Sequence, residues 1–80
     1  MDENLRNKVK EIVDSVMKID IARLDPESKF NTISEWDSFN NLMLISRFQD
    51  EFNIEFTALE IENTQKVKDL FSLLERKVKV

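Results

Sequence analysis

Few residues of this chain could take part in chemistry, and the most suggestive two are adjacent. Asp37 and Ser38 stand just ahead of a regularly spaced apolar segment. A serine hydroxyl can accept a transferred group, but it is a weak nucleophile unless a neighbouring base takes its proton. The 80 residues contain no His, which excludes His-based triads and the commonest general base. Cys is absent too, so a disulfide framework and the usual zinc sites are excluded. No metal site and no catalytic residue is expected. The chain reads as a module on which other proteins act, not as an enzyme.

The charge is unevenly spread. Net charge is −4, but residues 31–65 hold seven acids against Arg47 alone. An acidic middle argues against nucleic acid; it suits a basic protein surface drawn in by long-range steering, although a solvated acidic face with no partner is the more ordinary reading of such a pattern. Residues 66–80 carry five bases and two acids, an ordinary balance that makes no nucleic-acid site. With 41% hydrophobic and 35% charged residues, the chain can build a core. It has no apolar run of the roughly 18 residues that a membrane span needs. The opening Met1-Asp2-Glu3 lacks the basic-then-apolar layout of a signal peptide. A cytoplasmic monomer without membrane insertion is therefore expected, with residues 1–80 forming one domain.

Ser38 must be positioned by the elements around it. Leu5, Val9, Ile12, Val13 and Val16 make one stripe at helical spacing, predicting a first helix over about 4–18. Residues 19–36 break that period, with a turn at Pro26. Ile19, Ile21, Leu24, Phe30 and Ile33 imply that this long loop packs across the helix ends, and loops of such length are uncommon unless functional. Asp37 is a candidate N-cap for a second helix over 38–52, in which Phe39, Leu42, Ile45, Phe48 and Phe52 form the stripe, widened by Met43 and Leu44. Asn53 suits a left-handed cap at its end. Ile54 to Thr57 reads as an extended connector burying Ile54 and Phe56, and residues 58–62 as one short turn. A last helix from near Thr64 or Gln65 carries Val67, Leu70, Phe71, Leu74 and Val78, with Arg76, Lys77 and Lys79 at its negative end. The fold class is all-α.

The run from Asp37-Ser38-Phe39-Asn40-Asn41-Leu42-Met43-Leu44-Ile45 to Phe48-Gln49-Asp50-Glu51-Phe52-Asn53-Ile54-Glu55-Phe56 resembles the acyl carrier protein family. Phe30 in the loop and residues 67–74 extend the resemblance over most of the chain. It implies a four-helix bundle, with three main helices, a short third helix and a long loop between helices 1 and 2. It also implies that Ser38 carries a covalent 4′-phosphopantetheine arm from coenzyme A, with Asp37 as its motif partner and helix cap. A phosphopantetheinyl transferase would load it, and acyl-loading and acyl-consuming enzymes would use the thioester it bears. A phosphodiester suits a helix N-terminus, where backbone N–H groups are free.

Departures from the family pattern sharpen this expectation. Asn40, Met43 and Gln49 stand where acids are frequent, and Trp36 before Asp37 resembles stand-alone carriers of specialised lipid, polyketide or related pathways. An aminoacyl (D-alanyl-type) carrier is the first alternative. The second is a helical interaction module that carries nothing, with Ser38 only a helix cap, since Asp and Ser both cap helices often. Trp36, Phe39, Met43, Asp50 and Glu51 are the candidate partner-binding residues, Trp36 being equally suited to packing beside Phe39 or Leu42. Phe30, Phe48, Phe52, Phe56 and Phe71 are expected in the core, leaving little room there for a long acyl chain. Glu35 and Asn53 replace glycines common in the family. Asn53 tolerates a left-handed backbone and Glu35 does not, so the loop entering Ser38 should run differently there.

Overall fold

In the computed structural model, which describes residues 2–78, the stripes assemble into an all-α four-helix bundle. Helix α1 spans Glu3–Met17, α2 Ser38–Phe52, α3 Ala58–Asn63 and α4 Val67–Val78. Single 3₁₀ turns at Ile21–Arg23 and Phe30–Thr32 punctuate the long α1–α2 loop. Asp2 caps α1 through the Asn4 N–H, and Lys18 closes it in the left-handed region at φ 61°. The α2 limits and the left-handed Asn53, at φ 55°, are as expected. Among the described residues only Lys18 and Asn53 have positive φ, so the chain passes Glu35 without the glycine-favouring conformation. Thr57 and Glu60 form a reciprocal capping box that holds the six-residue α3.

The core joins Val9, Ile12, Val13 and Met17 of α1 with Leu44 and Phe48 of α2 and Val67, Leu70 and Leu74 of α4. Ile21, Phe30 and Trp36 of the loop complete it, so the loop is part of the core, as its apolar residues imply. Phe52, Phe56 and Phe71 pack against this cluster. Burial of these side chains supplies the main driving force, roughly 1.5–3 kcal/mol for each large apolar group removed from water.

Two expectations need correction. The α2 stripe does not run through Phe39 and Leu42, which are 70% and 64% exposed; the buried line is Leu44–Phe48, flanked by Ile45 and Phe52. Asn41, Leu44, Ile45 and Phe48 share the inward side, Asn41 accepting the Trp36 indole N–H there, and that helix phase places Phe39 and Leu42 on the outer side. The last helix also begins at Val67, later than Thr64 or Gln65. Before it the chain runs beside the long loop: the Phe30 N–H donates to the Gln65 carbonyl at 2.9 Å, and the Val67 and Lys68 N–H groups donate to the Ser28 and Pro26 carbonyls at 3.1 and 3.0 Å. These bonds, with an antiparallel bridge between Lys29 and Lys66, satisfy donors that the first turn of α4 would otherwise leave free. Lys79 lies outside the described residues.

Side-chain contacts reinforce the same seam. Glu27 in the loop meets Lys66 at 3.1 Å and Lys68 at 2.7 Å. The Lys68 and then the Lys66 ammonium hold the Glu27 carboxyl below its usual range, and Glu27 in turn raises Lys68. No helix among the described residues is long and apolar enough to cross a membrane.

Candidate functional site

Ser38 is the first residue of α2, and it is exposed. Its position follows from the residue before it: the Asp37 carboxylate accepts the Asn40 N–H at 2.8 Å, while the Asp37 carbonyl accepts the Asn41 N–H at 2.9 Å. That cap accounts for two of the first-turn donors. The Ser38 hydroxyl itself makes no hydrogen bond with a described residue. It therefore projects into water at the positive end of a 15-residue helix.

The approach to Ser38 is pinned from both sides. The Asn40 side-chain amide donates to the Glu35 carbonyl at 2.9 Å, tying the last loop residues to the first turn of α2. One residue on, the Asn41 side-chain oxygen accepts the Trp36 indole N–H at 3.0 Å. The indole lies flat on Phe30, with ring centroids 4.0 Å apart and planes 8° from parallel. Trp36 is only 6% exposed, with one ring face against Phe30, so it anchors the loop while still lining the cleft beside Ser38.

Beside Ser38 lies an open cleft of about 270 Å³, floored by Phe30 and Trp36 and rimmed by Lys29, Asn31, Asn41 and Gln65. Asn40, Asn41, Lys29 and Gln65 surround Ser38 without having been singled out from the sequence as candidate site residues. The twin asparagines directly after Ser38-Phe39 were the available signal.

The remaining candidates divide by position. Phe39 and Met43 stand within two turns of Ser38, 70% and 45% exposed. Asp50 shares their face, because spacings of four and seven residues return to one side of a helix. It lies twelve residues from Ser38, about 18 Å along the axis at 1.5 Å per residue. Glu51 is turned about 100° away and pairs with Lys8 of α1 at 3.3 Å. The structure thus groups Trp36, Asp37, Ser38 and Phe39 at one end of α2 and leaves Asp50 and Glu51 at the other.

The site suits a phosphodiester-linked arm. The hydroxyl is accessible, it belongs to the first residue of a helix, and the adjoining cleft is open. Chemistry at Ser38 needs an outside proton acceptor, since the Asp37 carboxylate is engaged as a cap and the chain has no His.

Comparison with known proteins agrees. A family model described as a phosphopantetheine attachment site matches residues 7–74. The acyl carrier protein of Solidesulfovibrio magneticus is 32% identical over 74 residues, covering 92% of this chain and 95% of that one. That of Buchnera aphidicola subsp. Baizongia pistaciae is 30% identical over 76 residues, covering 95% and 97%. Among solved structures, an acyl carrier protein from Thermotoga maritima superposes with a TM-score of 0.76 at 31% identity, over 96% of this chain and 89% of that one. With an attachment domain over most of its length and such relatives in sequence and in structure, the chain belongs to the acyl carrier protein family, and its prosthetic group is covalent 4′-phosphopantetheine.

Proposed function

We propose that residues 1–80 act as one carrier domain in which Ser38 bears the 4′-phosphopantetheine arm. The single observation that carries this reading is the exposed, unengaged Ser38 hydroxyl at the capped start of α2. When bound, the group supplies a terminal thiol on which an acyl group rides as a thioester. The chain's own residues hold the attachment point: Asp37 fixes the helix start, and Asn40 with Asn41 fixes the loop that leads into it. A transferase provides the base that Ser38 lacks.

Partner enzymes dock on the face of α2 next to Ser38. Exposed Phe39, Leu42 and Met43 offer an apolar contact, with Asp50 further along the same face for charge steering. Glu51 contributes less, being paired with Lys8. Two positions of α2 that could have been acidic are neutral: the Asn40 side-chain amide donates to the Glu35 carbonyl, a bond a carboxylate could not make, and the Gln49 side-chain oxygen accepts the Phe56 N–H at 3.1 Å. This reduced acidity favours a specialised biosynthetic pathway, with partners of its own, over general fatty acid synthesis.

The test is loading. Incubation with coenzyme A, magnesium and a broad-specificity phosphopantetheinyl transferase should add one phosphopantetheinyl group by intact mass, and Ser38→Ala should abolish the gain. Failure with several transferases, or retention of the gain in Ser38→Ala, refutes the assignment. With the native partner enzyme, Asp50→Lys should reduce the rate more than Glu51→Lys; equal effects would remove the proposed docking face.

A further inference from the structure

The lining of the cleft beside Ser38 contains one cationic side chain, Lys29, and one anionic side chain, Asp37. Among the described residues the Lys29 ammonium has no ion pair and no hydrogen bond. Glu27, two positions earlier, is already shared by Lys66 and Lys68, and the Asp37 carboxylate holds the Asn40 N–H. The main chain of Lys29 is nevertheless fixed. Its carbonyl accepts the Thr32 N–H at 3.0 Å and the Thr32 hydroxyl at 2.6 Å, and the residue forms the antiparallel bridge with Lys66. A charge without a partner thus stands on a fixed stem in the same cleft as Ser38.

That charge acquires a use once Ser38 is loaded. Attachment puts a phosphodiester anion on the hydroxyl next to the Asp37 carboxylate, and neighbouring anions repel. Little else in the chain offsets them. Arg47 is the one base within residues 31–65, and it lies nine positions beyond Ser38, about 13.5 Å along the helix axis. We propose that Lys29 binds the phosphodiester of the arm and draws the root of the arm into the cleft, away from the exposed Phe39–Leu42–Met43 face. The inference rests on Ser38 being the attachment site. An ammonium donating to a phosphate oxygen forms a charge-assisted hydrogen bond, stronger than a neutral one. Asn31, whose side chain makes no bond with a described residue, extends the site for the arm's amide groups. The Phe30 and Trp36 rings offer apolar surface to its methyl groups. The two surfaces at Ser38 are thereby divided: the arm roots on the loop side, and the docking residues stay clear for a partner.

The experiment compares the full native chain with Lys29→Gln and Lys29→Arg, each loaded from coenzyme A by a phosphopantetheinyl transferase, with intact mass and peptide mapping confirming Ser38. The Lys29 side chain is exposed and forms no cap, so both variants keep the fold. NMR at low salt then records backbone amide shifts on loading and nuclear Overhauser contacts from the arm's geminal methyl groups. In the native chain the Lys29 and Asn31 amides should shift, and the arm methyls should contact the Trp36 ring, not the Met43 methyl. In Lys29→Gln those contacts should weaken about threefold, the factor that one exposed ion pair is worth, while Lys29→Arg retains them. Raising the salt to about 0.5 M should weaken them in the native chain and leave Lys29→Gln unchanged. Shifts confined to the residues flanking Ser38, arm contacts with Met43, or equal contacts in the native chain and Lys29→Gln overturn the proposal. So does a loss in Lys29→Arg as large as in Lys29→Gln. Absence of any loading at Ser38 instead overturns the attachment reading, and the inference with it.

Discussion

Replacing Asp37 separates two contributions that the start of α2 combines, an oxygen acceptor and a negative charge. The carboxylate accepts the Asn40 N–H at 2.8 Å in an exposed setting, so an ordinary cap value applies. Asp37→Ala leaves that donor to water and should cost about 1 kcal/mol. Asp37→Asn keeps an acceptor of the same reach and loses only the charge at the helix end, for about 0.5 kcal/mol. A chain of this length has roughly 4–12 kcal/mol of stability in all, so the alanine variant stays folded and measurable. With a urea slope near 1 kcal/mol/M, the midpoint should fall by about 1 M for alanine and about half that for asparagine. In heat, the alanine change corresponds to roughly 6 °C. Trp36, the sole tryptophan, is buried one residue before the substitution and reports the transition by its fluorescence. Amide exchange at Asn40 should rise in the alanine variant. A midpoint shift for Asp37→Ala smaller than that for Asp37→Asn, or unchanged Asn40 exchange, would refute the cap as the origin of the helix start.

Three further outcomes are expected. Gln49→Ala leaves the part-buried Phe56 N–H without its acceptor and should destabilise by about 1 kcal/mol in urea, while Gln49→Glu, which retains an oxygen there, should not. Lys18 holds a left-handed backbone that a long side chain tolerates poorly, so Lys18→Asn should raise stability by about 0.5 kcal/mol in thermal unfolding. Lys68 and Lys66 hold the folded Glu27 pKa below its ordinary 4.5, so the stabilisation it gives is complete above that value and is lost as pH falls through the lowered folded value. Urea midpoints of the native chain and Glu27→Gln should therefore differ at neutral pH and converge in acid; a constant difference would contradict the linkage.

Much of this architecture was legible from local signals. The α2 limits, the Asp37 cap and the left-handed Asn53 all follow from residue types at short spacing, because capping and helical period act within one or two turns. What could not be read depends on contacts between distant segments. The Phe30 N–H bond to the Gln65 carbonyl joins residues far apart in sequence and leaves no periodic trace, so the true start of α4 was hidden. Trp36 shows the same limit: its neighbours in sequence pointed to Phe39 or Leu42, and nothing local signalled that a loop turn brings Phe30 under its ring. Running the α2 stripe through Phe39 and Leu42 was a natural error of periodicity, since an apolar pattern does not distinguish a buried side from an exposed one. The position of Ser38 was recognisable; the cleft beside it was not, because its rim comes from three separate segments.

The seam between the long loop and the start of α4 has a consequence for divergence among carriers. Its bonds run from main chain to main chain, from Phe30 to Gln65, Val67 to Ser28 and Lys68 to Pro26, and such bonds are indifferent to side-chain identity wherever proline is avoided at a donor. The backbone frame of the cleft can thus persist while Lys29, Asn31 and Gln65 are exchanged freely around it. Substitution at those three positions can therefore reshape the lining of the cleft without disturbing how the long loop meets α4.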